Sequence, residues 1–317
     1  MNAMQFAPSR RRFIATAAAA TLAPRSLFAQ RPDQQPEMVV QARKDAASTK
    51  ITVEHLRGKV SVLLGSGGNI AVLPGPEGKL LVDSGISTSR PQITEALAAI
   101  SPDPIQHLVN THWHYDHTDG NEWMHSAGAT IIASEKTRTR LSSPQTIAIF
   151  STTFPAAPAG AIPTMTFIAP DTLKTNGATL ILTRYDPAHT DTDISVHFTD
   201  ADVLHCGDTW FHGAYPFIDY STGGHIDGMI RAAKRNLATG TQSTILIPGH
   251  GPIGNKTDLA ADLDMWTAMR DTIAALKKQG KSIDDVLAAK PTAQYDAKYG
   301  AGFVTTELFT RLVYQGV

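Results

Sequence analysis

Four side chains that commonly bind metals stand within residues 112–117, whose sequence is HWHYDH. A strand-like apolar run, Ile105–Val109, leads directly into them, so they are predicted to stand in a loop just past a strand. Such a loop can aim several side chains at one point, which a position in the middle of a strand cannot. Imidazole and carboxylate ligands suit zinc, with iron and manganese also possible. The four candidate ligands are His112, His114, Asp116 and His117.

Further candidate ligands follow downstream, each at the end of an apolar run. The runs LIL, DVLHC and TILI precede His189, Asp208 and His250, respectively. We predict that each run is a buried strand that ends in a turn marked by Gly or Pro, with the His or Asp at its tip. Rigid strands would fix such ligands, while loops would leave one coordination position open for water, as a catalytic metal requires.

Taken together, these motifs resemble those of the metallo-beta-lactamase superfamily. Residues 112–117 match its HxHxDH signature, and residues 82–85 (VDSG) resemble its earlier VDxG element. His189, Asp208 and His250 match its later histidine, its bridging aspartate and its last histidine.

The resemblance extends from about Val60 to Pro252. It implies an α/β (α+β) protein with the αββα sandwich of that superfamily and a metal site at one edge of the sandwich. We therefore expect a single hydrolase domain over residues 51–317, with a helical segment at its C-terminal end.

The resemblance also implies a site that holds two zinc ions per chain. A hydroxide held between the ions would be the nucleophile, because metal ions lower the pKa of bound water from about 16 to roughly 7. One ion would polarise the substrate carbonyl, and the other would stabilise the leaving atom. The implied ligands are His112, His114 and His189 at the first site, Asp116, His117 and His250 at the second, and Asp208 as the bridge between them.

Two carboxylates have further expected roles. Asp116 would be able to pass a proton to the leaving group. Asp83, in the VDSG element, is expected either to orient a ligand or a loop, or simply to cap a turn.

The bridging aspartate helps to choose between subfamilies. The true beta-lactamases of this superfamily generally lack it, and one subclass has a Cys ligand in the corresponding place. Cys206 lies two residues before Asp208, on the same face if both are in one strand. It either approaches the metal or, as we prefer, is a small buried residue.

With Asp208 present, the ligand set resembles that of glyoxalase II-type thioesterases and lactonases. Some lactonases carry a Tyr three residues after the bridging aspartate. That position is Phe211 here, and Tyr215 could substitute only if its loop folds back. Glyoxalase II enzymes add a helical domain that binds glutathione, but no glutathione-binding residue maps onto the segment after His250.

The predicted function is hydrolysis of an ester, thioester, lactone or lactam bond in a small-molecule substrate. A beta-lactamase proper is one alternative, and a mononuclear iron enzyme such as a persulfide dioxygenase is another. The iron enzymes of this fold use one ion and part of the ligand set, so the complete two-metal set disfavours that alternative. It also disfavours a non-catalytic binding module, which should lack ligands.

Residues 1–29 are typical of a twin-arginine signal peptide. The sequence SRRRFI at residues 9–14 is followed by an Ala-rich apolar segment and by a candidate cleavage site, Leu27-Phe28-Ala29. The apolar segment is too short to span a bilayer, so no stable membrane insertion is expected. The predicted partner is the twin-arginine export machinery, which carries folded proteins, and the predicted location is the periplasm.

Composition favours one folded domain that acts on small molecules. Hydrophobic residues make up 42% of the 317 residues, enough for a sizeable core. Without the four arginines of residues 1–29, 24 basic and 29 acidic residues remain, a formal net charge of −5. This charge argues against nucleic acid and anionic membranes as partners. The single Cys excludes an internal disulfide, so packing and metal must supply stability.

Other segments have clear local patterns. Residues 30–50 are polar and are predicted to be a linker, and residues 142–166, rich in Pro, Ala, Ser and Thr, are predicted to be a long loop that is either a lid or a plain connection. Helices are predicted over residues 90–100 and 258–278, with Ser282 capping the next one. Strands are predicted over 60–64, 70–73 and 79–82.

Aromatic residues are frequent near the candidate ligands and are predicted, in part, to line an apolar pocket beside the metals. We expect Trp123 and Phe217 to be core residues instead. The aromatic residues concerned are Trp113, Tyr115, Trp123, Trp210, Phe211, Tyr215 and Phe217.

Overall fold

The computed structural model describes residues 36–168 and 170–317 of the chain. The signal peptide predicted for residues 1–29 lies outside the described residues. In the described part, no helix combines the length and the apolar character needed to cross a membrane.

A seven-stranded sheet within the described residues carries the HWHYDH segment. It has the order β1-β2-β3-β4-β5-β6-β9, antiparallel from β1 to β4 and parallel from β4 onwards, and a small antiparallel hairpin, β7-β8, precedes β9. The strands are β1 (Thr52–His55), β2 (Ser61–Leu64), β3 (Ile70–Leu73), β4 (Lys79–Val82), β5 (Ile105–Val109), β6 (Thr130–Ser134), β7 (Gln145–Ile147), β8 (Thr152–Phe154) and β9 (Met165–Phe167).

A second sheet, of five strands within the described ranges, carries the downstream ligands. Its order is β10-β11-β12-β13-β14, and only the β13-β14 pair among them is parallel. The strands are β10 (Asp171–Thr175), β11 (Ala178–Arg184), β12 (Ile194–Phe198), β13 (Val203–Phe211) and β14 (Ile245–His250).

The described residues also form ten α-helices. They are α1 (Glu37–Ala46), α2 (Arg90–Ile100), α3 (Tyr115–Thr118), α4 (Asn121–Ser126), α5 (Glu135–Leu141), α6 (Ile226–Ala238), α7 (Lys256–Lys278), α8 (Ile283–Ala289), α9 (Asp296–Tyr299) and α10 (Thr306–Gly316). Capping boxes start two of them: Asn255 with Asp258 at α7, and Ser282 with Asp285 at α8, as predicted for Ser282.

Three apolar clusters give the αββα layering that the family resemblance implies. Val82 and Val109 of the first sheet pack with Val196 of the second in the cluster between the sheets. The outer face of the first sheet packs on Ile93 of α2, and the outer face of the second packs on helices that include Trp266 of α7. Central strands such as β4 and β13 are buried along their whole length, and this fixes the strand ends where the site lies.

Two segments differ from the sequence predictions. Residues 37–46, inside the expected 30–50 linker, form α1, in which Val39 and Ala46 are buried. This helix is held to the body of the protein by Arg43, which forms an ion pair with Asp119. Residues 142–166, expected to be one long loop, contain the β7-β8 hairpin and two short 3₁₀ turns instead.

Candidate metal centre

The side chains predicted as ligands lie together, in two neighbouring groups. The potential ligand atoms of each group all lie within 4.8 Å of one another. The first group contains His112, His114, His189 and Asp208, and the second contains Asp116, His117 and His250.

In the first group, imidazole nitrogens point at one another. Nε2 of His189 lies 2.8 Å from Nδ1 of His114. Nε2 of His112 is buried without a hydrogen-bond partner in the described protein. Two ligands of one tetrahedral zinc, each 2.0–2.1 Å from it, would lie about 3.3 Å apart, so this spacing fits a shared cation.

The second group has similar spacing. Nε2 of His117 lies 3.2 Å from Nε2 of His250, and Oδ2 of Asp116 lies 3.2 Å from the same His250 atom. The three residues come from α3 and from the end of β14, so two distant parts of the chain form this group.

Asp208 lies between the two groups. Its Oδ1 is 3.1 Å from Nε2 of His117, and its Oδ2 is 3.3 Å from Nε2 of His189 and 3.5 Å from Nε2 of His250. Its Oδ1 accepts no conventional hydrogen bond in the described protein. A buried carboxylate oxygen with no donor is costly unless a cation binds it, so the donor set fits metal ions.

The far ring nitrogens of three histidines have partners that fix the ring orientations. His117 Nδ1 lies 2.8 Å from Asp83 Oδ2, and His189 Nδ1 lies 2.8 Å from the Phe217 carbonyl. His114 uses the opposite nitrogen, with Nε2 3.2 Å from Asp219 Oδ2. In each case the partner can accept the ring N–H and leave the other nitrogen free to bind a metal.

Asp83 is connected by hydrogen bonds to a histidine of each ligand group. It accepts hydrogen bonds from the Thr111 amide and from Thr111 Oγ1, each at 2.7 Å. Thr111 Oγ1 lies 3.0 Å from Nδ1 of His112, so Asp83 reaches His112 through Thr111 and His117 directly. Asp83 has a left-handed backbone conformation (φ 66°), which Asp tolerates better than most residues. The structure therefore favours the orienting role over simple turn capping.

We expect Asp83→Asn to weaken metal binding about 10- to 100-fold, the usual effect of losing a group that orients a ligand. An amide in place of the carboxylate has one acceptor oxygen and no charge, so it would accept the hydrogen bonds from Thr111 and His117 less strongly. Zinc titration against a competing chelator would measure the change. Unchanged affinity would contradict the orienting role. Exposed Asp284 offers a matched Asp→Asn control, for which no change is expected.

Charges of the protein groups concentrate negative potential at this site. Burial favours the neutral form of Asp116 and Asp208, but the nearby imidazoles, His117 foremost, hold both carboxyl pKa values well below their usual range. Burial disfavours protonated His250, yet Asp208 and Asp116 outweigh burial and raise its pKa to about 9. Burial lowers the pKa of His189 to about 4. Metal ions that replace the proton on His250 would therefore find a carboxylate pair already ionised.

Local sequence explains how Asp208 reaches this place. The turn predicted after residue 206 is instead an irregularity within β13, which runs on to Phe211. Gly207, with φ 53°, allows the register to shift, and the shift turns Asp208 toward the histidines. A Cβ on Gly249 of β14 would lie 1.9 Å from Asp208 Oδ1, so the neighbouring strand must have glycine there.

Cys206 belongs to the apolar core and to neither ligand group. Its side chain is fully buried among core residues of the second sheet, and burial raises the pKa of its thiol. This placement agrees with the preferred sequence interpretation of a small buried residue.

We expect Cys206→Ser to retain its metal and its turnover rate. The new hydroxyl would be buried in the core, so the free energy of unfolding should fall by about 1–3 kcal/mol. Metal analysis, steady-state kinetics and denaturant unfolding on the same sample would separate these effects. Loss of metal from the folded variant would show that the sulfur is a ligand after all.

A largely apolar cleft of about 490 Å³ opens onto the two ligand groups. Five of the aromatic residues noted in the sequence line it: Trp113, Tyr115, Phe211, Tyr215 and Phe217. Phe217 is buried in the core cluster, as expected, and also contributes to the cleft lining. Trp210 is not part of the lining, because its indole N–H donates to Asp262 in the core.

Tyr215 does not take the place of the lactonase tyrosine. Its hydroxyl donates to Asp296 at 2.9 Å, and its ring stacks on Phe309 at 4.3 Å between centroids. The hydroxyl is thus engaged by the C-terminal helical segment and not by the metal-ligand groups.

Sequence reasoning missed Asp219, Thr111 and the Phe217 carbonyl as partners of the histidines. Asp219 lies 105 positions from His114, in a segment without a recognisable motif. Thr111 is adjacent to His112, and a hydroxyl beside a candidate ligand was the only available signal.

Comparisons with known proteins agree with this geometry. A family model described as the metallo-beta-lactamase superfamily matches residues 64–288. No curated protein matches the chain.

Solved structures with a similar fold include two metallo-beta-lactamases. One, from Pontibacter korlensis, has 19% identity and a TM-score of 0.56, and the alignment covers 69% of this chain and 99% of that one. The other, DIM-1, has 20% identity and a TM-score of 0.53, over 69% of this chain and 97% of that one.

A third similar structure is the stereoselective inverting sec-alkylsulfatase Pisa1 from Pseudomonas sp. It has 16% identity and a TM-score of 0.61, and the alignment covers 89% of this chain. The chain spans about half of that protein's length, since the alignment covers 53% of it. At these identities the likeness shows the fold alone.

Proposed function

Because this chain belongs to the metallo-beta-lactamase superfamily of metal-dependent hydrolases, we propose that it is a dinuclear zinc hydrolase that cleaves an ester, thioester, lactone or lactam bond. The observation that carries the proposal is the position of Asp208, within 3.1–3.5 Å of imidazoles from both ligand groups. Such a carboxylate is suited to bridge two cations. A site for one iron ion would need two histidines and one carboxylate, and would not require the second group of Asp116, His117 and His250.

The residues would hold the metal in the grouping that the sequence predicted. His112, His114 and His189 would form the first site, Asp116, His117 and His250 the second, and Asp208 the bridge. Bound zinc would supply Lewis acidity, which activates water near neutral pH and polarises a carbonyl. The donor set of imidazole and carboxylate suits zinc well.

Hydrolysis at this site needs no oxidant or reductant. The oxygen of water forms a new bond to the acyl carbon, the bond from that carbon to the leaving atom breaks, and the leaving atom takes up a proton. Asp116 is the carboxylate best placed to carry this proton, because its side chain is 22% exposed and lines the cleft, while that of Asp208 is 4% exposed.

A substrate panel on zinc-loaded protein tests the proposal. The panel contains p-nitrophenyl acetate, a homoserine lactone, S-lactoylglutathione, a chromogenic cephalosporin and a secondary alkyl sulfate. We expect turnover of at least one carbonyl substrate, and a chelator should abolish it. Protein that holds two zinc ions and hydrolyses none of the carbonyl substrates would contradict the proposal.

We further propose export to the periplasm through the twin-arginine machinery, on the basis of the SRRRFI sequence and the apolar segment after it. Cell fractionation tests this with the full chain and with an Arg10→Lys, Arg11→Lys variant. Export that survives this double substitution would contradict the twin-arginine route.

A further inference from the structure

We propose that the cleft selects uncharged substrates that carry an extended apolar group beside the reacting bond. This inference rests on the proposed hydrolytic function and narrows its substrate class. Three features of the described residues carry it: the charges of the cleft lining, an aromatic wall, and the position of α1.

Beyond the two ligand groups, the cleft offers no cationic side chain to an anionic substrate. The described lining residues include no Lys or Arg, and the carboxylate outside the ligand groups is Asp45. A carboxylate or sulfate placed in that part of the cleft, out of reach of bound metal, would lose hydration without gaining a cationic partner, which is costly. Substrates with a charged group remote from the reacting bond, such as glutathione thioesters, would bear this cost, whereas simple esters and lactones would not.

Phenylalanine side chains form an apolar wall in the cleft. The Phe150 ring stacks on Phe217 at 5.2 Å between centroids and lies 5.6 Å from Phe303. Phe303 lines the cleft, yet the residue is 66% exposed. An apolar group that binds there would cover part of this ring and gain from its burial.

Helix α1 supplies another part of the wall, through Met38 and Ala42. It is fixed in place near its C-terminal end. The Arg43 carbonyl accepts a hydrogen bond from Thr88 Oγ1, and the Arg43 guanidinium pairs with Asp119. This part of the wall is therefore preformed, and binding of an apolar substrate would not require the entropy cost of ordering it.

The first experiment compares matched p-nitrophenyl esters on zinc-loaded protein. We expect kcat/KM to rise about four-fold for each methylene from acetate to hexanoate, which corresponds to about 0.8 kcal/mol per buried CH₂. The adipate monoester has the hexanoate acyl length with a terminal carboxylate, and we expect its kcat/KM to be about 100-fold lower than that of hexanoate.

Substitutions in the apolar wall test whether it causes the dependence of kcat/KM on acyl chain length. Phe303→Ala and Met38→Ala should each lower kcat/KM for hexanoate several-fold more than for acetate. Phe303→Leu keeps a large apolar side chain and should retain most of the wild-type ratio of kcat/KM for hexanoate to that for acetate. Ile181→Ala, an exposed apolar residue of β11 outside the cleft lining, is the control and should leave the chain-length dependence unchanged.

The possible outcomes distinguish a failure of this substrate-class inference from a failure of the proposed hydrolytic function. Ester turnover with no rise in kcat/KM along the series, or with equal kcat/KM for hexanoate and adipate, would overturn this inference and leave the hydrolase intact. Absence of turnover for every ester, thioester, lactone and lactam by protein with both metals bound would overturn both.

Discussion

Replacing Asp208 with Ala is expected to lower kcat/KM by more than about 100-fold, beyond the 10- to 100-fold that follows loss of an orienting partner. Asp208 is the carboxylate whose oxygens approach His117, His189 and His250 together. Without it, the first group would have no carboxylate, and no ligand would lie between the two groups to be shared by two cations. The variant should bind fewer than two zinc ions per chain.

The matched control for Asp208→Ala is Asp264→Ala, an exposed aspartate of α7. It makes the same chemical change away from the site and should retain both metal and rate. Metal analysis and kinetics on folded protein, verified by circular dichroism, would measure the difference. An Asp208→Ala protein with two zinc ions and a normal rate would contradict the bridging role.

The second large effect is expected for His114→Ala and His250→Ala, which remove one ligand from each group. Turnover should be lost in both variants. Each should also lose the ion of its own group preferentially, since the other group keeps its imidazoles. Measuring zinc per chain and kcat together would test this. The exposed His55 of β1 gives a His→Ala control that should behave as wild type.

Activity close to wild type in either variant would show that the altered group takes no part in hydrolysis. Loss of both ions from either variant, with the fold retained, would show that the groups depend on each other for binding. Asp208, shared by both groups, gives a physical reason for such dependence.

Much of the site could be predicted from the sequence because its ligands follow buried strands. The run Ile105–Val109 is β5, and the apolar run before His250 is β14, at whose end His250 stands. Strands buried on both faces have a continuous apolar pattern, and a polar residue at the end of one is easily recognised.

What could not be predicted depends on contacts between distant residues. Helix α1 has a polar sequence with little to bury, and its place depends on the Arg43–Asp119 pair across 76 positions. Phe217 is buried in the core, as its hydrophobicity predicted, but the hydrogen bond between its carbonyl and His189 could not be predicted. Neither pairing leaves a periodic signal in the sequence.

The backbone of β13 at Gly207 also could not be predicted, although here the residues involved are close in sequence. A Gly before an Asp indicates a turn by composition. Here the glycine serves a bulge inside a strand, because the parallel partner β14 continues alongside it. The sequence predicted a candidate ligand at Asp208, which lies among the histidines, but it did not predict the local backbone.

Metal content with activity, measured on one sample during stepwise zinc loading of chelated protein, tests the central claim most directly. We predict that hydrolysis of a neutral ester returns with zinc and reaches its maximum at two ions per chain. One tightly bound iron per chain, with no ester, lactone or lactam hydrolysis at any zinc loading, would contradict the dinuclear hydrolase.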